Sequence, residues 1–334
     1  MKIGIVGLPN VGKSSLFNLL THANAQVAKF PFTTIDRNLG VVSLPDRRLE
    51  KIVEITKSPK ITYGHLDFID IAGLIKGAAR GEGLGNKFLS HIRDVDLILH
   101  VLRCFGDADI PHTDQKILPH RDYEIVRTEL FLSDLAITER RLDKIKKKAE
   151  CREEAILLKR IKEALEKGEV PDEEIKDLPL LTTKREIVVL NLDEDGKFKD
   201  GLEGYRLSVK LEQDIQEFSE EERRALRKDA GVEPAGLAGL LDLCLKKLSV
   251  IIFYTIKGDE ARAWPVVEGT SVLDAAGLIH TDMKQGFIKA EVLDYDTFIE
   301  TKGFTSAQQQ GKTKIQGRDY IVKDGDIILI KFRK

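Results

Sequence analysis

One short segment near the start of the chain limits its possible folds more than any other feature. Residues 2–20, KIGIVGLPNVGKSSLFNLL, begin with a β-branched run, pass through a loop from Gly7 to Gly12, and continue with apolar residues at helical spacing. The loop fits G-x-x-x-x-G-K-[ST] between a predicted strand and a predicted helix, the context that this phosphate-binding motif requires. A plain glycine turn before a helix is the alternative. The segment predicts an α/β fold with a P-loop.

Each residue type in this loop has a chemical role at a phosphate. Gly7 and Gly12 allow backbone angles that turn amide N–H groups inward, towards an anion at the start of the helix. Lys13 reaches the β and γ phosphates, and the Ser14 hydroxyl can bind Mg²⁺. The loop therefore predicts binding of a nucleoside triphosphate, with Lys13 as a candidate catalytic residue.

A second motif follows in HLDFIDIAGL, residues 65–74, which alternates like a strand and ends in Asp70-x-x-Gly73. In P-loop proteins such an aspartate holds magnesium through its waters, and the glycine amide contacts the γ-phosphate. DxxG alone is a weak pattern that occurs in many turns. Its position after a strand and downstream of a P-loop makes it much more specific.

Two further segments have the composition of nucleotide-dependent switches. KFPFTTIDRN, residues 29–38, contains Thr34, which can complete a Mg²⁺ shell only when a γ-phosphate is present. LIKGAARGEGLGNKF, residues 74–88, is rich in glycine and has little to hold it rigid. Adjacent threonines are by themselves more often turn residues, so the first assignment depends on the flanking motifs.

The base-reading segment is predicted in IVVLNLDED, residues 187–195, where an apolar run ends at Asn191. Guanine-nucleotide switches end the equivalent strand in N-K-x-D, whose aspartate accepts the guanine N1 and N2 protons. Here Leu192 replaces the lysine, and Glu194 is one methylene longer than aspartate. A displaced carboxylate loses its bidentate bond, so we predict that guanine is not the preferred base. A register shift that puts Asp193 in this role is the open alternative.

Length and composition set the remaining limits. The 334 residues predict two or three domains, and a formal net charge of −2 excludes a global field that attracts nucleic acid or anionic lipid. Three distant cysteines without a CxxC pair argue against a disulfide framework or a zinc site. The apolar run at the start is too short for a signal or a membrane span, so we expect a cytoplasmic protein without membrane contact.

The predicted nucleotide domain comprises residues 1–121 and 180–248, with one further region inserted between these two parts and another following them. Residues 122–179 are predicted as an inserted helical coiled-coil arm, whose stretch 139–167 carries 11 basic and 7 acidic side chains. That charge is either a solvated helix face or a surface for RNA. Residues 249–334 alternate between apolar and polar, which predicts a small β-grasp-like α+β sheet. Its Trp264 and His280 can also be interpreted as core residues whose polar groups form hydrogen bonds within the unit.

Together these motifs resemble the YchF family, the Obg-like ATPases. The segments that carry the resemblance are GLPNVGKSS, FPFTTIDRN, DFIDIAGLIKGAARGEGLGNKFL, VLRCF and NLDE. It implies a GTPase-like α/β domain with the helical arm and a C-terminal TGS domain. It also implies Mg²⁺-dependent binding and hydrolysis of ATP in preference to GTP, and contact with the ribosome or RNA through the arm and the TGS domain. We expect a monomer.

The resemblance also transfers site residues to this chain. Leu192 would contact adenine through its backbone, and Ser208 and Lys210 would lie beside the base, although Val209 stands where a small residue is usual. The implied magnesium ligands are Ser14, Thr34 and Asp70. The implied nucleotide-binding residues are Asn10, Val11, Gly12, Lys13, Ser14, Ser15, Gly73, Asn191, Leu192, Glu194 and Ser208.

The catalytic step has several candidate solutions. Leu74 follows Gly73 and cannot orient an attacking water as the glutamine of many GTPases does. His112 matches a histidine of the family, a K⁺ ion near Asn10 is a second candidate, and a group from a partner is a third. Three functions stay open: an ATP-hydrolysing switch, a GTPase of the Obg type, and a non-catalytic ribosome-binding or RNA-binding adaptor.

Overall fold

The computed structural model describes residues 1–22, 38–71, 84–106, 116–145, 151–196, 198 and 201–333. They divide into two compact units. The first contains the described parts of residues 1–23, 34–40 and 67–247, and the second contains the described parts of residues 24–33, 41–66 and 248–334. The sequence-based boundaries placed residues 41–66 in the nucleotide domain, so the two divisions differ there, and the three-domain division stays a prediction.

The described strands and helices alternate along the first part of the chain. The strands are β1 Lys2–Val6, β2 Leu39–Leu44, β3 Lys60–Thr62, β4 Gly64–Asp70, β5 Leu97–Cys104, β6 Arg185–Leu192, β7 Tyr205–Leu207, β8 Val250–Lys257, β9 Glu260–Val267, β10 Phe287–Leu293, β11 Lys314–Gln316 and β12 Ile327–Phe332. The helices are α1 Lys13–His22, α2 Arg47–Thr56, α3 Leu84–Arg93, α4 Pro119–Ile145, α5 Arg152–Glu166, α6 Val209–Asp214, α7 Glu220–Asp229, α8 Gly236–Lys247, α9 Val272–Ile279, α10 Thr281–Gln285, α11 Tyr295–Thr301 and α12 Phe304–Gln309.

A sheet with the strand order β2-β4-β1-β5-β6-β7 forms the centre of the nucleotide domain. β1 pairs in parallel with β4 and β5, and β6 pairs in parallel with β5 and β7. All eight residues of β5 are buried, as expected for a central parallel strand covered on both faces. Because parallel strands end at one edge, the loops after β1, β5 and β6 meet there, which is where such sheets bind ligands.

The predicted helical arm is present as a pair of long helices, α4 and α5. Ion pairs join Arg141 to Glu154 at 2.6 Å and Glu139 to Lys162 at 2.7 Å, so a step backwards along α4 corresponds to a step forwards along α5. The helices are therefore antiparallel. Their shared apolar cluster centres on the buried side chains Ile161, Leu165 and Leu180, with Phe131 and Leu135 packed against it.

A buried carboxylate fixes the chain that returns from the arm to the sheet. Asp134 in α4 is inaccessible, and its oxygens accept bonds from the backbone N–H groups of Leu181 and Thr182 at 2.9 and 2.8 Å. Burial raises the pKa of Asp134, although these bonds and one from the Thr182 hydroxyl act against the shift. Asp134 therefore anchors the segment that leads into β6.

The second unit is built on a mixed sheet with the strand order β11-β10-β12-β8-β9-β3. β10 and β12 are antiparallel, as are β8 and β9, whereas the central pair β12 and β8 is parallel. β3, from much earlier in the chain, also pairs in parallel with β9. Helix α2 buries Leu49 and Ile52 in one cluster with Tyr254 and Phe298. An α+β sheet agrees with the sequence-based expectation, but the addition of β3 and α2 was not predicted.

The two aromatic residues predicted as possible core residues of this unit behave differently. Trp264 is partly buried against the core, and its indole N–H donates to Thr255 Oγ1 at 2.9 Å. His280 is 59% exposed and caps α10, where its Nδ1 accepts a bond from the backbone N–H of Asp282. The core interpretation is therefore wrong for His280, because a capping role keeps the ring at the surface.

Candidate nucleotide-binding site

The loop between β1 and α1 has a conformation that depends on glycine. Gly7 and Gly12 have φ angles of 151° and 95°. A Cβ atom on Gly7 would lie 2.4 Å from the carbonyl oxygen of Val101, and one on Gly12 would lie 2.4 Å from Asn191 Nδ2. Neither position has room for a side chain, so the close approach of β5 and β6 requires both glycines.

Lys13 lies at the start of α1 and is largely buried. Its ammonium donates to the carbonyl oxygen of Leu8 at 2.6 Å, within the same loop. Burial lowers the pKa of Lys13 to about 8, and the nearby charge of Asp70 opposes part of that shift. A phosphate would stabilise the charged ammonium more than a neutral carbonyl does, so the residue is suited to an anionic ligand.

The hydroxyl of Ser14 and the carboxylate of Asp70 meet beside this lysine. Ser14 Oγ donates to Asp70 Oδ2 at 2.6 Å, and Asp70 ends β4 in register with Ile5 of β1. The structure therefore brings together two of the three predicted magnesium ligands. Among the described residues there is no group of three or more His, Cys, Asp or Glu side chains that could hold a metal.

Asn191 connects the phosphate loop to the far end of the site. It is buried, its Nδ2 donates to the carbonyl oxygen of Val11 at 2.9 Å, and its Oδ1 accepts from the backbone N–H of Val209 at 3.0 Å. Both ends of the amide are therefore used to hold other segments. Asn191 positions the loop and α6 relative to β6.

A cavity of about 760 Å³ runs along these elements at the edge of the sheet. It includes most of the predicted binding residues and the predicted neighbour Lys210. Four lining residues were not predicted: Phe105, Gly106, Val209 and Gln213. The complete lining is Asn10, Gly12, Lys13, Ser14, Ser15, Phe105, Gly106, Asn191, Leu192, Asp193, Val209, Lys210 and Gln213.

Three predicted binding residues lie outside this lining. Ser208 is buried, and its hydroxyl accepts from the backbone N–H of Leu211 as the cap of α6. Val11 is also buried, and its carbonyl oxygen is the acceptor for Asn191. Glu194 is 43% exposed and pairs with Lys210, whose Nζ lies 3.1 Å from Glu194 Oε2. The structure assigns the first two to holding the backbone and the third to a surface ion pair.

A buried arginine supports the aromatic wall of the cavity. Arg103, near the end of β5, is only 1% exposed, and its Nε donates to the Phe105 carbonyl oxygen at 3.2 Å. Its Cζ atom lies 4.6 Å from the centre of the Phe105 ring, a cation–π distance. The sequence signal was the segment VLRCF, in which an apolar run ends in an arginine and an aromatic residue.

Three other predicted residues cannot be placed. Thr34, Gly73 and His112 lie outside the described residues, as do most of the predicted switch segments. Within the described part of the chain, no helix combines the length and the apolar content that a membrane span requires.

The strand, glycine-dependent loop, buried lysine and helix at the edge of a parallel sheet define a P-loop domain of the nucleoside triphosphate hydrolase class. Two family models match the chain. One, described as "50S ribosome-binding GTPase", covers residues 2–133. The other, the C-terminal domain of YchF GTPases, described as "Protein of unknown function (DUF933)", covers residues 250–333.

Relatives match the chain along almost its whole length. "Ribosome-binding ATPase YchF" of Bacillus subtilis (strain 168) is 38% identical, with 98% of each chain covered. The protein of the same description from Escherichia coli O157:H7 is 39% identical, with 99% of each chain covered. The chain therefore belongs to the YchF family.

Solved structures agree with this assignment. The chain is similar to "Structure of the Schizosaccharomyces pombe YchF GTPase" with a TM-score of 0.83 and 31% identity, over 99% of this chain and 97% of that chain. A GTP-binding protein from Pyrococcus horikoshii OT3 has a TM-score of 0.61 at 19% identity, over the full length of both chains, which shows a shared fold. These proteins are described by different nucleotides, since the bacterial relatives are called ATPases and the Schizosaccharomyces pombe protein a GTPase.

Proposed function

We propose that this protein is an ATP-binding and ATP-hydrolysing switch that prefers ATP to GTP and associates with the ribosome. The observation that carries the base preference is the Glu194–Lys210 ion pair. A guanine reader needs a free carboxylate that faces the base, because that carboxylate accepts two guanine protons. Glu194 is instead paired with Lys210 and does not line the cavity, whereas Leu192 and Asp193 do. Asp193 is the carboxylate of the alternative register, but its Oδ1 already accepts a bond from the backbone N–H of Glu194 at 3.1 Å.

Adenine suits this environment better than guanine. Its edge presents one donor and one acceptor, which the backbone of the Leu192 segment can satisfy without a carboxylate. Phe105 supplies an aromatic wall against which either base would pack. The preference for adenine over guanine therefore depends on the polar edge of the base, because a base that leaves a hydrogen-bonding group unpaired there binds much more weakly.

The phosphate end fits Mg²⁺, which we include as the cofactor. Ser14 and Asp70 present a hydroxyl and a carboxylate 2.6 Å apart, and Mg²⁺ prefers hard oxygen ligands of this kind. When bound, the ion would neutralise charge on the β and γ phosphate oxygens. Thr34 is proposed as the third protein ligand and Gly73 as the γ-phosphate contact.

Lys13 would leave its bond to the Leu8 carbonyl and pair with the β and γ phosphates. Leu74 cannot orient the attacking water, so that role is proposed for His112, for K⁺ near Asn10, or for a group from the partner. Turnover of the His112→Ala variant, measured with and without K⁺, separates the histidine from the ion. If His112 orients the water, turnover is lost in every salt, whereas if K⁺ does so, turnover depends on K⁺ and survives the substitution.

Calorimetric titration with non-hydrolysable analogues of ATP and GTP, each with Mg²⁺, tests the central claim. We expect tighter binding of the ATP analogue. Tighter binding of the GTP analogue would favour a GTPase of the Obg type instead, the reading that the words "GTPase" in the first family model and in the fission yeast structure support.

The ribosome association rests on the names of the relatives, which are described as ribosome-binding. This partner would also place the protein in the cytoplasm. Sedimentation with purified ribosomes, with and without the ATP analogue, tests it. If ribosomes are bound but no nucleotide is turned over with Mg²⁺ and K⁺, the protein is a non-catalytic adaptor rather than a hydrolytic switch.

A further inference from the structure

The second unit contains a cavity of its own, with a volume of about 340 Å³. It lies between one face of β8 and β9 and the junction of α9 with α10. Its volume is at the lower end of the range for small-molecule sites, which is about 300 to 1,000 Å³. The lining includes Lys257, Arg262, Trp264, His280, Met283 and Phe332.

A stacked pair of side chains forms the floor of this cavity. Arg262 and Trp264 are two residues apart on β9 and therefore share a face of the sheet. The Arg262 Cζ atom lies 3.8 Å from the centre of the Trp264 ring system. The bond from the indole to Thr255, opposite Arg262 on β8, fixes the ring, so the two planar groups make a flat and ordered surface.

The guanidinium of Arg262 is incompletely satisfied. Among the described residues its buried Nε has no hydrogen-bond acceptor, and burial lowers the pKa of the group against the opposing effect of Glu260. Glu260 is already engaged, because it accepts from the Thr62 hydroxyl at 2.6 Å and pairs with Lys60 at 3.0 Å. A ligand oxygen would supply that acceptor once the guanidinium turns towards the cavity.

A second cation stands at the rim. Lys257 is exposed and lies across from Glu260 in the β8–β9 register, with its Nζ 5.9 Å from the centre of the Phe332 ring. The exposed His280 and Asp282 lie at the helix junction on the other side. Lys257 and Arg262 place positive charge beside the flat aromatic surface. Of the two acids in the lining, Glu260 is already paired with Lys60, and Asp282 lies at the helix junction.

This chemistry selects a ligand that is both planar and anionic. Nucleic-acid bases stack on aromatic rings and on arginine planes, and phosphate oxygens pair with lysine and arginine. An acidic peptide would meet the charge but would leave the planar floor without a stacked partner. A nucleotide meets both requirements.

We infer that the Arg262–Trp264 cavity binds an unpaired nucleotide, with its base stacked on Arg262 and its phosphate near Lys257. The nucleotide is either a residue of single-stranded RNA or a free mononucleotide. Our preference for RNA over a free mononucleotide rests on the proposed ribosome association. The inference that the cavity binds a nucleotide does not depend on that association. The inference gives this unit a ligand that is separate from the triphosphate of the P-loop.

Trp264 is the only tryptophan of the chain, so its fluorescence reports on this site. The full-length protein is titrated with six-nucleotide adenine and uridine RNA strands, with a longer G·C-rich RNA duplex that stays paired, with AMP, and with a six-residue glutamate peptide. We expect saturable quenching by the single strands and none by the duplex, whose bases are already stacked. Tighter binding of the strands than of AMP identifies RNA as the source, and equal affinity identifies a free mononucleotide.

Two variants and a matched control locate the binding. Arg262→Gln should weaken RNA binding by about tenfold, since stacking and cation–π contacts of one base account for that much. Lys257→Gln should weaken it by about threefold and reduce its salt dependence. Lys323→Gln removes an exposed lysine of the same unit that does not line the cavity, and should leave binding unchanged.

The result is independent of the P-loop site. Lys13→Ala should weaken triphosphate binding by about thirtyfold or more but leave the quenching intact, so failure of one proposal does not hide failure of the other. Because Arg262 lies against the Trp264 ring, its replacement changes the emission of the free protein even when the unit is folded, so circular dichroism checks the fold. If that spectrum shows loss of structure, Lys257→Gln carries the test. Absence of quenching, equal quenching by the glutamate peptide, or identical affinities of the Lys257 and Lys323 variants would each overturn the inference.

Discussion

The phosphate end and the base end of the P-loop site are built in different ways. The phosphate end comes from one continuous segment, Gly7–Ser15, to which β4 adds Asp70. The base end comes from three separate segments, residues 105–106, 191–193 and 209–213, which meet only in the folded chain. A contiguous motif therefore sets the chemistry of the phosphate end, while tertiary packing sets the wall around the base.

Asn191 is where the two ends are joined. Its amide donates to the phosphate loop and accepts from the start of α6, so it connects both ends. A change at the phosphate end should weaken every triphosphate equally. A change at the base end should alter the ratio of ATP to GTP affinity and leave pyrophosphate binding unaffected.

The largest effect is expected for Lys13→Ala at the phosphate end. Truncating one partner of a buried charge pair costs about 2–5 kcal/mol, so the affinity for ATP should fall by about thirtyfold or more. Calorimetry with the ATP and GTP analogues should show the same loss for both. Lys246→Ala, an exposed lysine in α8, is the control. A loss confined to one base would contradict the division between the two ends.

Asn191→Asp tests the connection. The new carboxylate cannot donate to the Val11 carbonyl, and an unpaired buried group costs about 1–3 kcal/mol, so the affinity for both nucleotides should fall by about tenfold to a hundredfold. Thermal unfolding should show a lower midpoint as well. Gln216→Glu adds the same charge at an exposed position of the same unit. Equal behaviour of the two variants would exclude the connecting role.

The double change Leu192→Lys with Glu194→Asp tests the base end alone. A correctly placed polar partner should raise the preference for GTP by about tenfold, since polar mismatches are the strongest discriminators. The ratio of the two calorimetric affinities measures this shift. Pyrophosphate affinity serves as the internal control and should stay constant. An unchanged ratio would show that neither residue reads the base.

The pH dependence of affinity tests the environment of Lys13. Its pKa of about 8 in the free protein should rise when an anionic phosphate binds, because a nearby negative charge favours the ammonium. Above pH 8 binding must therefore take up a proton, and affinity should fall by about tenfold between pH 7 and pH 9. Titrations in buffers of different ionisation enthalpy detect that proton. The Lys13→Ala variant should lose this dependence; if it keeps it, another group is responsible.

The smallest effect is expected for Arg103→Lys, which keeps the charge but removes the planar group behind Phe105. Loss of a cation–π contact of about 0.5–1 kcal/mol should weaken ATP binding by about two- to fivefold. Pyrophosphate binding should not change, which separates positioning of the base wall from a general loss of folded protein. A parallel loss for pyrophosphate would assign Arg103 a purely structural role.

The phosphate end could be predicted from sequence more completely than the base end. The P-loop was readable because its residues are adjacent and its glycines have no substitute, as the positions of Gly7 and Gly12 show. Ser208 was expected beside the base, yet the structure makes it a buried helix cap, since local sequence cannot say which way a side chain points. Phe105 stood in the segment VLRCF, but neither Phe105 nor Gln213 was predicted to line the site, because that role became visible only when their segments converged.

The sequence by itself determined the class of site, the family and the two residues, Leu192 and Glu194, that depart from N-K-x-D. These depend on residue identity at fixed spacing, which is a property of the chain. The tertiary structure decided which side chains reach the cavity, that Glu194 is paired with Lys210, and that β3 and α2 pack with the C-terminal strands. Such outcomes depend on contacts between residues far apart in the chain, and local pattern contains no information on which of those contacts form.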